Sequence, residues 1–317
     1  MRLGLCLAAF GGEGLGSALK QLPDDTLALD VPTDTTLGLI DVRRCADDRA
    51  YLDEIAAALS GHTVGVVSNS RDAQLLLGPH GPHTAAVCPG DPGTRMAHAL
   101  RCGLGTIRLA ERLGAPAVRL LPGCPDFGRW LSWWGSDAGW ADNIAVFRDR
   151  AAPLITAARE AGVLMMLEPH PKQIVYDRAS AELLFAMCGD WDDVLRLCVD
   201  PANLAAIGHD AIGAVRGWNG RMAAVHAKDL QRHSAPAPPA GAGWSRYGPQ
   251  PPIRFRALGL GELDWPAIVA ALQDECFEGV LYLEHEDTLL PREQSIRRSL
   301  DLLRAIVPQH AAQGRTW

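Results

Sequence analysis

Short apolar runs alternate along the whole chain with longer stretches in which apolar residues recur every three or four positions. The first pattern predicts buried strands and the second predicts amphipathic helices. The expected strands are Leu3–Ala9, Thr26–Val31, Thr63–Val67, Ala117–Leu121, Val163–Leu167, Val194–Val199, Met222–Val225 and Val280–Leu283. Between them, Met96, Leu100, Leu104 and Ile107 mark one helix face, and Ile296, Leu300, Leu303 and Val307 mark another. Asp264, followed by Trp265 and Pro266, reads as an N-cap with proline in the first turn, opening a helix over Ala267–Gln273.

Strand–helix alternation of this kind is the signature of repeated βα units, and strands that are apolar throughout suit a parallel sheet buried on both faces. An open doubly wound sheet and a closed barrel both read this way. The glycines after the first strand, in G-G-E-G-L-G from Gly11 to Gly16, lack the G-x-G-x-x-G spacing of a dinucleotide-binding turn. Size and strand count then favour an α/β fold of the (β/α)8 TIM barrel type, as a single domain over residues 1–308 with a 309–317 tail.

Two long loops interrupt the expected barrel, at about residues 122–142 and 233–258. Loops of that length in a compact domain are usually lids or binding loops. The first holds Trp130, Trp133, Trp134 and Trp140, and indole faces suit the apolar faces of sugars. Trp133 and Trp134 are therefore candidate substrate contacts. The second is rich in proline and glycine.

Composition narrows the picture further. With 48% hydrophobic and 21% charged residues, the 317-residue chain can bury a full core. A formal net charge of −7 argues against a surface that tracks a phosphate backbone, so no nucleic acid partner is expected. The apolar start of the chain is too short for a membrane span or a typical signal peptide and reads as the first strand. No membrane partner is expected. Eight scattered cysteines without a C-x-x-C pair fit a reduced, cytoplasmic protein. The oligomeric state stays open, a homo-oligomer included.

The chemistry lies in the second half. Four successive strands there run into Glu168, Asp200, His226 and Glu284. In a (β/α)8 barrel the C-terminal strand ends converge, so these side chains would point at one another. Three carboxylates and one imidazole make a mostly oxygen donor set. Such a set favours one divalent ion, Mn2+ foremost with Mg2+ or Co2+ as alternatives, over closed tetrahedral zinc.

The segments E-P-H-P (168–171), D-P-A-N-L (200–204), H-A-K-D (226–229), G-L-G-E-L-D-W (259–265) and L-E-H-E-D (283–287) resemble the xylose isomerase-like superfamily, in particular its sugar phosphate isomerase/epimerase group. The resemblance implies a TIM barrel with one divalent metal held by Glu168, Asp200, His226 and Glu284. It also implies that the two glutamates are the catalytic acid/base pair, and that Arg232 contacts substrate. Asn203 stands where many members keep a histidine, and can still hydrogen-bond a substrate hydroxyl. His170 is a further candidate substrate contact on the inward side with Glu168, whereas alternation turns His285 away from Glu284. Lys228 and Asp229 are expected to support the ligands.

The function so implied is a divalent-metal-dependent isomerase or epimerase acting on a small sugar or keto-sugar through an enediolate. Relatives in the group also eliminate from keto-sugars, as inosose dehydratases and C-glycoside deglycosidases do, so a lyase is the alternative. An AP endonuclease-like hydrolase shares the barrel but needs a three-zinc cluster and a basic face, and is disfavoured. A non-catalytic sugar-binding protein is the remaining rival.

Overall fold

Eight parallel strands form where the apolar runs lie: β1 Arg2–Cys6, β2 Ala28–Pro32, β3 Val64–Asn69, β4 Ala117–Leu120, β5 Leu164–Leu167, β6 Leu195–Val199, β7 Met222–Ala227 and β10 Val280–Leu283. They close into a barrel in the order β1-β10-β7-β6-β5-β4-β3-β2, the first and last strands pairing with Arg2 opposite Val280 and Leu5 opposite Leu283. Two further strands among the described residues, β8 Asp229–Arg232 and β9 Ile253–Arg256, pair antiparallel just after the end of β7. The computed structural model describes residues 1–125, 139–171, 173–218, 220–232 and 253–308. Trp133, Trp134, most of both long loops and the 309–317 tail lie outside the described residues.

The helices among the described residues are α1 Leu15–Lys20, α2 Val42–Cys45, α3 Arg49–Ala58, α4 Pro82–Ala85 and α5 Pro92–Leu113. They continue with α6 Trp140–Glu160, α7 Arg178–Met187, α8 Pro201–Ala206, α9 Trp265–Asp274 and α10 Arg292–Ile306. Asp264 caps α9, its Oδ1 accepting from the Ala267 amide at 3.0 Å. None of these helices is long and apolar enough to cross a membrane.

Several expected boundaries shift slightly, with α6 beginning at Trp140 inside the expected 122–142 loop, and two differ more. The apolar run after β1 does not stay extended to Ala9: Leu7–Phe10 forms a 3-10 turn that buries Leu7 and Phe10. Pairing with β2 ends at Cys6 opposite Asp30, and an apolar run reads the same whether a ladder or a turn buries it. The second long loop is shorter than 233–258, because Ile253–Arg256 alternates apolar and charged residues and pairs with β8 as β9.

Side chains alternate between the two faces of each strand. The outward set, including Leu29, Val67, Val118, Leu167, Leu197, Val225 and Leu281, packs in the main core with the helices. Inside the barrel sits a separate cluster of Ala28, Val66, Ala117, Met166, Cys198, Ala224, Val280 and Tyr282. Most of these residues are small because the Tyr282 ring spans the interior. A Cβ on Gly4 would lie 2.5 Å from the Tyr282 ring and 2.7 Å from the Ala28 carbonyl oxygen, and one on Gly65 would lie 2.0 Å from the Tyr282 hydroxyl. Gly4→Ala is accordingly expected to destabilise the fold by about 1–3 kcal/mol through overpacking. A urea midpoint equal to that of the parent would refute this reading of the barrel floor.

Candidate metal centre

One period of alternation beyond the apolar floor, the inward side of the strands becomes polar. Ala28 is followed two residues on by Asp30, Val66 by Ser68, Ala117 by Arg119, Met166 by Glu168, Cys198 by Asp200, Ala224 by His226, and Tyr282 by Glu284. The strand direction places this set at the C-terminal mouth of the barrel, where such barrels build their sites. Glu168, Asp200, His226 and Glu284 each offer a donor atom, and the four atoms lie within 4.8 Å of one another. The sequence expectation for these four thus has a single meeting point.

Each donor is held by its surroundings. Asp200 is the N-cap of α8, and its Oδ1 accepts from the amides of Ala202 at 2.8 Å and Asn203 at 3.3 Å, which leaves Oδ2 toward the mouth. Glu168 has both oxygens engaged, Oε2 by Arg119 Nη1 at 2.7 Å and Oε1 by Asn203 Nδ2 at 2.7 Å. His226 turns Nδ1 toward Glu284 Oε2 at 3.3 Å and Glu168 Oε2 at 3.9 Å, and turns Nε2 toward Asp30 Oδ2 at 3.5 Å. A carboxylate behind the distal nitrogen is the usual support of a metal-ligating histidine. Lys228 reaches Asp200 Oδ2 at 3.0 Å, Glu284 Oε2 at 2.7 Å and Glu286 Oε2 at 3.0 Å, with its ammonium 4.4 Å from the centre of the Phe255 ring.

Whether these residues fit a divalent ion can be tested on charge and on unsatisfied atoms. Asp30, Glu168, Asp200 and Glu284 bring four carboxylates into a largely buried space, against the cations Arg119 and Lys228. With a neutral His226 these buried groups carry an excess of two negative charges and Glu286, also on Lys228, adds a third, so the set can take up the charge of a divalent ion. His226 Nδ1 is buried without a hydrogen-bond partner, 3.3 Å from Glu284 Oε2, and Asp200 Oδ2 is met only by the Lys228 ammonium at 3.0 Å. Orphaned buried polar atoms are costly unless something satisfies them, and a cation bound among them does so. The donor set fits.

Electrostatics agree. Burial disfavours the charged imidazole of His226, but the Cys198 thiol and the Glu284 carboxylate oppose it, and the ring is held well above its usual pKa. Burial likewise works against the Lys228 ammonium, yet Asp200, Glu284 and Glu286 hold it protonated well above the ordinary lysine value. Glu284 is pushed up by burial and pulled further down by Lys228 and His226, ending well below the carboxylate range. A divalent ion at His226 Nδ1 would compete with a proton there, as metal and proton do at any ligating imidazole.

Other expected contacts fall around this centre. Asn203 joins it directly, with its Oδ1 buried and unpartnered. His170 is half-buried two residues beyond Glu168, its Nδ1 2.7 Å from the Pro171 carbonyl. Arg232 is half-exposed, its guanidinium engaged by Glu262 at 3.0 Å and by the Ala205 carbonyl. His285 faces α10, its Nδ1 2.9 Å from Ser295 Oγ. Asp229 does not support the ligands; its carboxylate gathers the amides of Leu230 at 2.8 Å and of Gly259, Gly261 and Leu263 at 3.0 Å each.

Asp30 and Arg119 are the residues that reading by strand ends overlooks. Arg119 is buried between Glu168 and Asp30, its Nε 3.6 Å from Asp30 Oδ2. The available signal was a charge interrupting an apolar strand, in A-L-D-V-P and A-V-R-L. Arg119→Leu would leave two buried carboxylates without their cation, and a loss of about 3–5 kcal/mol in folding stability is expected from denaturant titration. A change within experimental scatter would show that the ion pair is dispensable.

A closed (β/α)8 barrel with a carboxylate–histidine cluster at its C-terminal mouth defines a broad class of proteins. Within it, this chain belongs to the family of xylose isomerase-like TIM barrels, whose pattern matches residues 32–306. YfiH, an uncharacterized protein of Bacillus subtilis (strain 168), is 27% identical over 222 residues, which span 64% of this chain and 70% of YfiH. The apo structure of the 3-keto-D-glucoside 4-epimerase YcjR from E. coli superposes with a TM-score of 0.66 at 16% identity, over 96% of this chain and 99% of YcjR. The IolI protein, solved with a bound zinc atom, gives a TM-score of 0.66 at 16% identity, over 99% and 100% of the two chains. At such identities these structures share the fold.

Proposed function

We propose that this chain is a divalent-metal-dependent isomerase or epimerase of a small sugar or keto-sugar. The observation that carries the reading is the mouth cluster, in which Glu168, Asp200, His226 and Glu284 bring four donor atoms within 4.8 Å of one another, with carboxylates outnumbering the cations beside them. An epimerase of a keto-glucoside and a zinc-holding protein among the structural neighbours support it. Three carboxylates with one imidazole favour Mn2+, with Mg2+ or Co2+ as alternatives.

When bound, the ion would supply Lewis-acid stabilisation of the negative charge that builds on substrate oxygen during proton removal. Glu168 and Glu284 move the proton, from β5 and β10 on different sides of the mouth. Arg119 and Asn203 fix the Glu168 carboxylate, while Lys228 fixes that of Glu284. The Glu284 side chain is 13% exposed against 3% for Glu168, so Glu284 faces the side from which substrate arrives. Asn203 Oδ1 offers a buried acceptor for a substrate hydroxyl. His170, Arg232, Trp133 and Trp134 are the proposed outer substrate contacts.

The test is a panel of ketoses and 3-keto-glycosides incubated with Mn2+-loaded protein in D2O. Deuterium entering at the carbon beside the carbonyl, with an epimer or isomer accumulating, is the expected result. Loss of water or an aglycone would assign the site to elimination instead. A metal-loaded protein that neither exchanges nor releases anything on the whole panel overturns the enzymatic reading in favour of a binding role.

A further inference from the structure

A second cluster of metal-ligating side chains lies outside the barrel mouth, where the loop after β3 meets α5. Asp72, His98 and Cys102 each present a donor atom, and the three lie within 4.8 Å of one another. His98 and Cys102 are one turn apart on α5, on the same face, and Asp72 comes from a separate element. We propose that these three residues form a metal site for a borderline-soft divalent ion of the zinc type, tying the β3 loop to α5.

The argument rests on one nitrogen. His98 Nε2 lies 2.8 Å from Asp72 Oδ1 and 3.5 Å from Cys102 Sγ. As a hydrogen bond alone, the single Nε2–H serves the carboxylate and leaves the sulfur only a weak share of it. A carboxylate oxygen, an imidazole nitrogen and a sulfur converging on one point is instead the geometry of a metal's ligands. Tetrahedral zinc with ordinary bond lengths separates nitrogen and sulfur ligands by about 3.6 Å, close to the spacing present. The nitrogen–oxygen gap would widen by about half an ångström once the shared proton leaves.

The surroundings complete the site. Asp72 is fixed by Thr35, whose hydroxyl donates to Oδ1 at 2.6 Å and whose amide donates to Oδ2 at 2.8 Å, and by Asn69 Nδ2 at 3.3 Å from Oδ2. Such outer hydrogen bonds orient ligating carboxylates. Cys102 is fully buried, while the His98 side chain is 15% exposed and gives an ion a way in. On binding, the thiol proton leaves to solvent and the thiolate and Asp72 balance the two positive charges. The mixed sulfur, nitrogen and oxygen set selects a softer ion than the oxygen-rich mouth does.

Cobalt(II) added to the full-length chain reports on both sites, since only a sulfur ligand gives thiolate-to-cobalt charge-transfer absorption. The wild type and His226→Ala, which weakens the mouth site, are expected to show that band. Cys102→Ser and His98→Gln are expected to lose it, with the bound cobalt falling by one ion per chain relative to the wild type. His98→Gln can still donate to Asp72 and settles the question should Cys102→Ser fold poorly by circular dichroism. A band that survives in His98→Gln or in folded Cys102→Ser, or a wild type that binds no second ion and shows no band, overturns the proposal.

Discussion

Turnover of the Glu168→Gln and Glu284→Gln variants is expected to fall at least about a hundredfold, while metal affinity weakens only modestly. Glutamine keeps the shape and one oxygen donor of the carboxylate but cannot accept a proton. The two variants should differ in detail. Glu168 has both oxygens hydrogen-bonded, by Arg119 and Asn203, so its amide substitute places an N–H against one of these donors and disturbs the mouth more. In Glu284→Gln the Lys228 ammonium can still bond the amide oxygen. Solvent-deuterium exchange separates the roles, since it should vanish in the variant that loses the initiating base. Near-normal turnover in both metal-loaded variants would refute the assignment and make His170 the next candidate.

Complete removal of divalent metal is expected to abolish turnover, and readdition of Mn2+ to restore it. Stability should follow. An ion present at about a hundred times its dissociation constant contributes about 2.7 kcal/mol to folding, visible as a raised Tm. In His226→Ala that Mn2+-dependent gain should largely disappear, because the removed nitrogen is the buried, unpartnered one. Full activity in protein shown by elemental analysis to be free of metal would rule out the proposed chemistry.

The barrel itself was largely legible in the sequence, because parallel strands buried on both faces are written as uninterrupted apolar runs. Their C-terminal ends were legible too, since Glu168, Asp200, His226 and Glu284 each close such a run. The contribution of the first half was harder to see. Asp30 and Arg119 sit within strands rather than after them, and their partners lie on other strands, 49 residues away for Arg119 and Glu168. Only the closed barrel brings them together. Lys228 was expected near the ligands and contacts two of them, whereas the adjacent Asp229 points the other way, as alternation along an extended strand requires. The Asp72–His98–Cys102 group has no sequence signature of its own, because Asp72 is on a loop and His98 and Cys102 lie on a helix face that reads as ordinary core.

The β8–β9 hairpin bears on how the protein could change over time. Its rungs pair Asp229 with Arg256 and Arg232 with Ile253, and the Asp229 carboxylate laces it to the backbone ahead of α9. The stem is thereby anchored independently of whatever sequence joins Arg232 to Ile253. Doubling the length of a loop closed in this way costs only about 0.6 kcal/mol. The sequence between Arg232 and Ile253 is therefore open to insertion, deletion or grafting from relatives, a cassette that evolution or an engineer could exchange without undoing the stem that holds it.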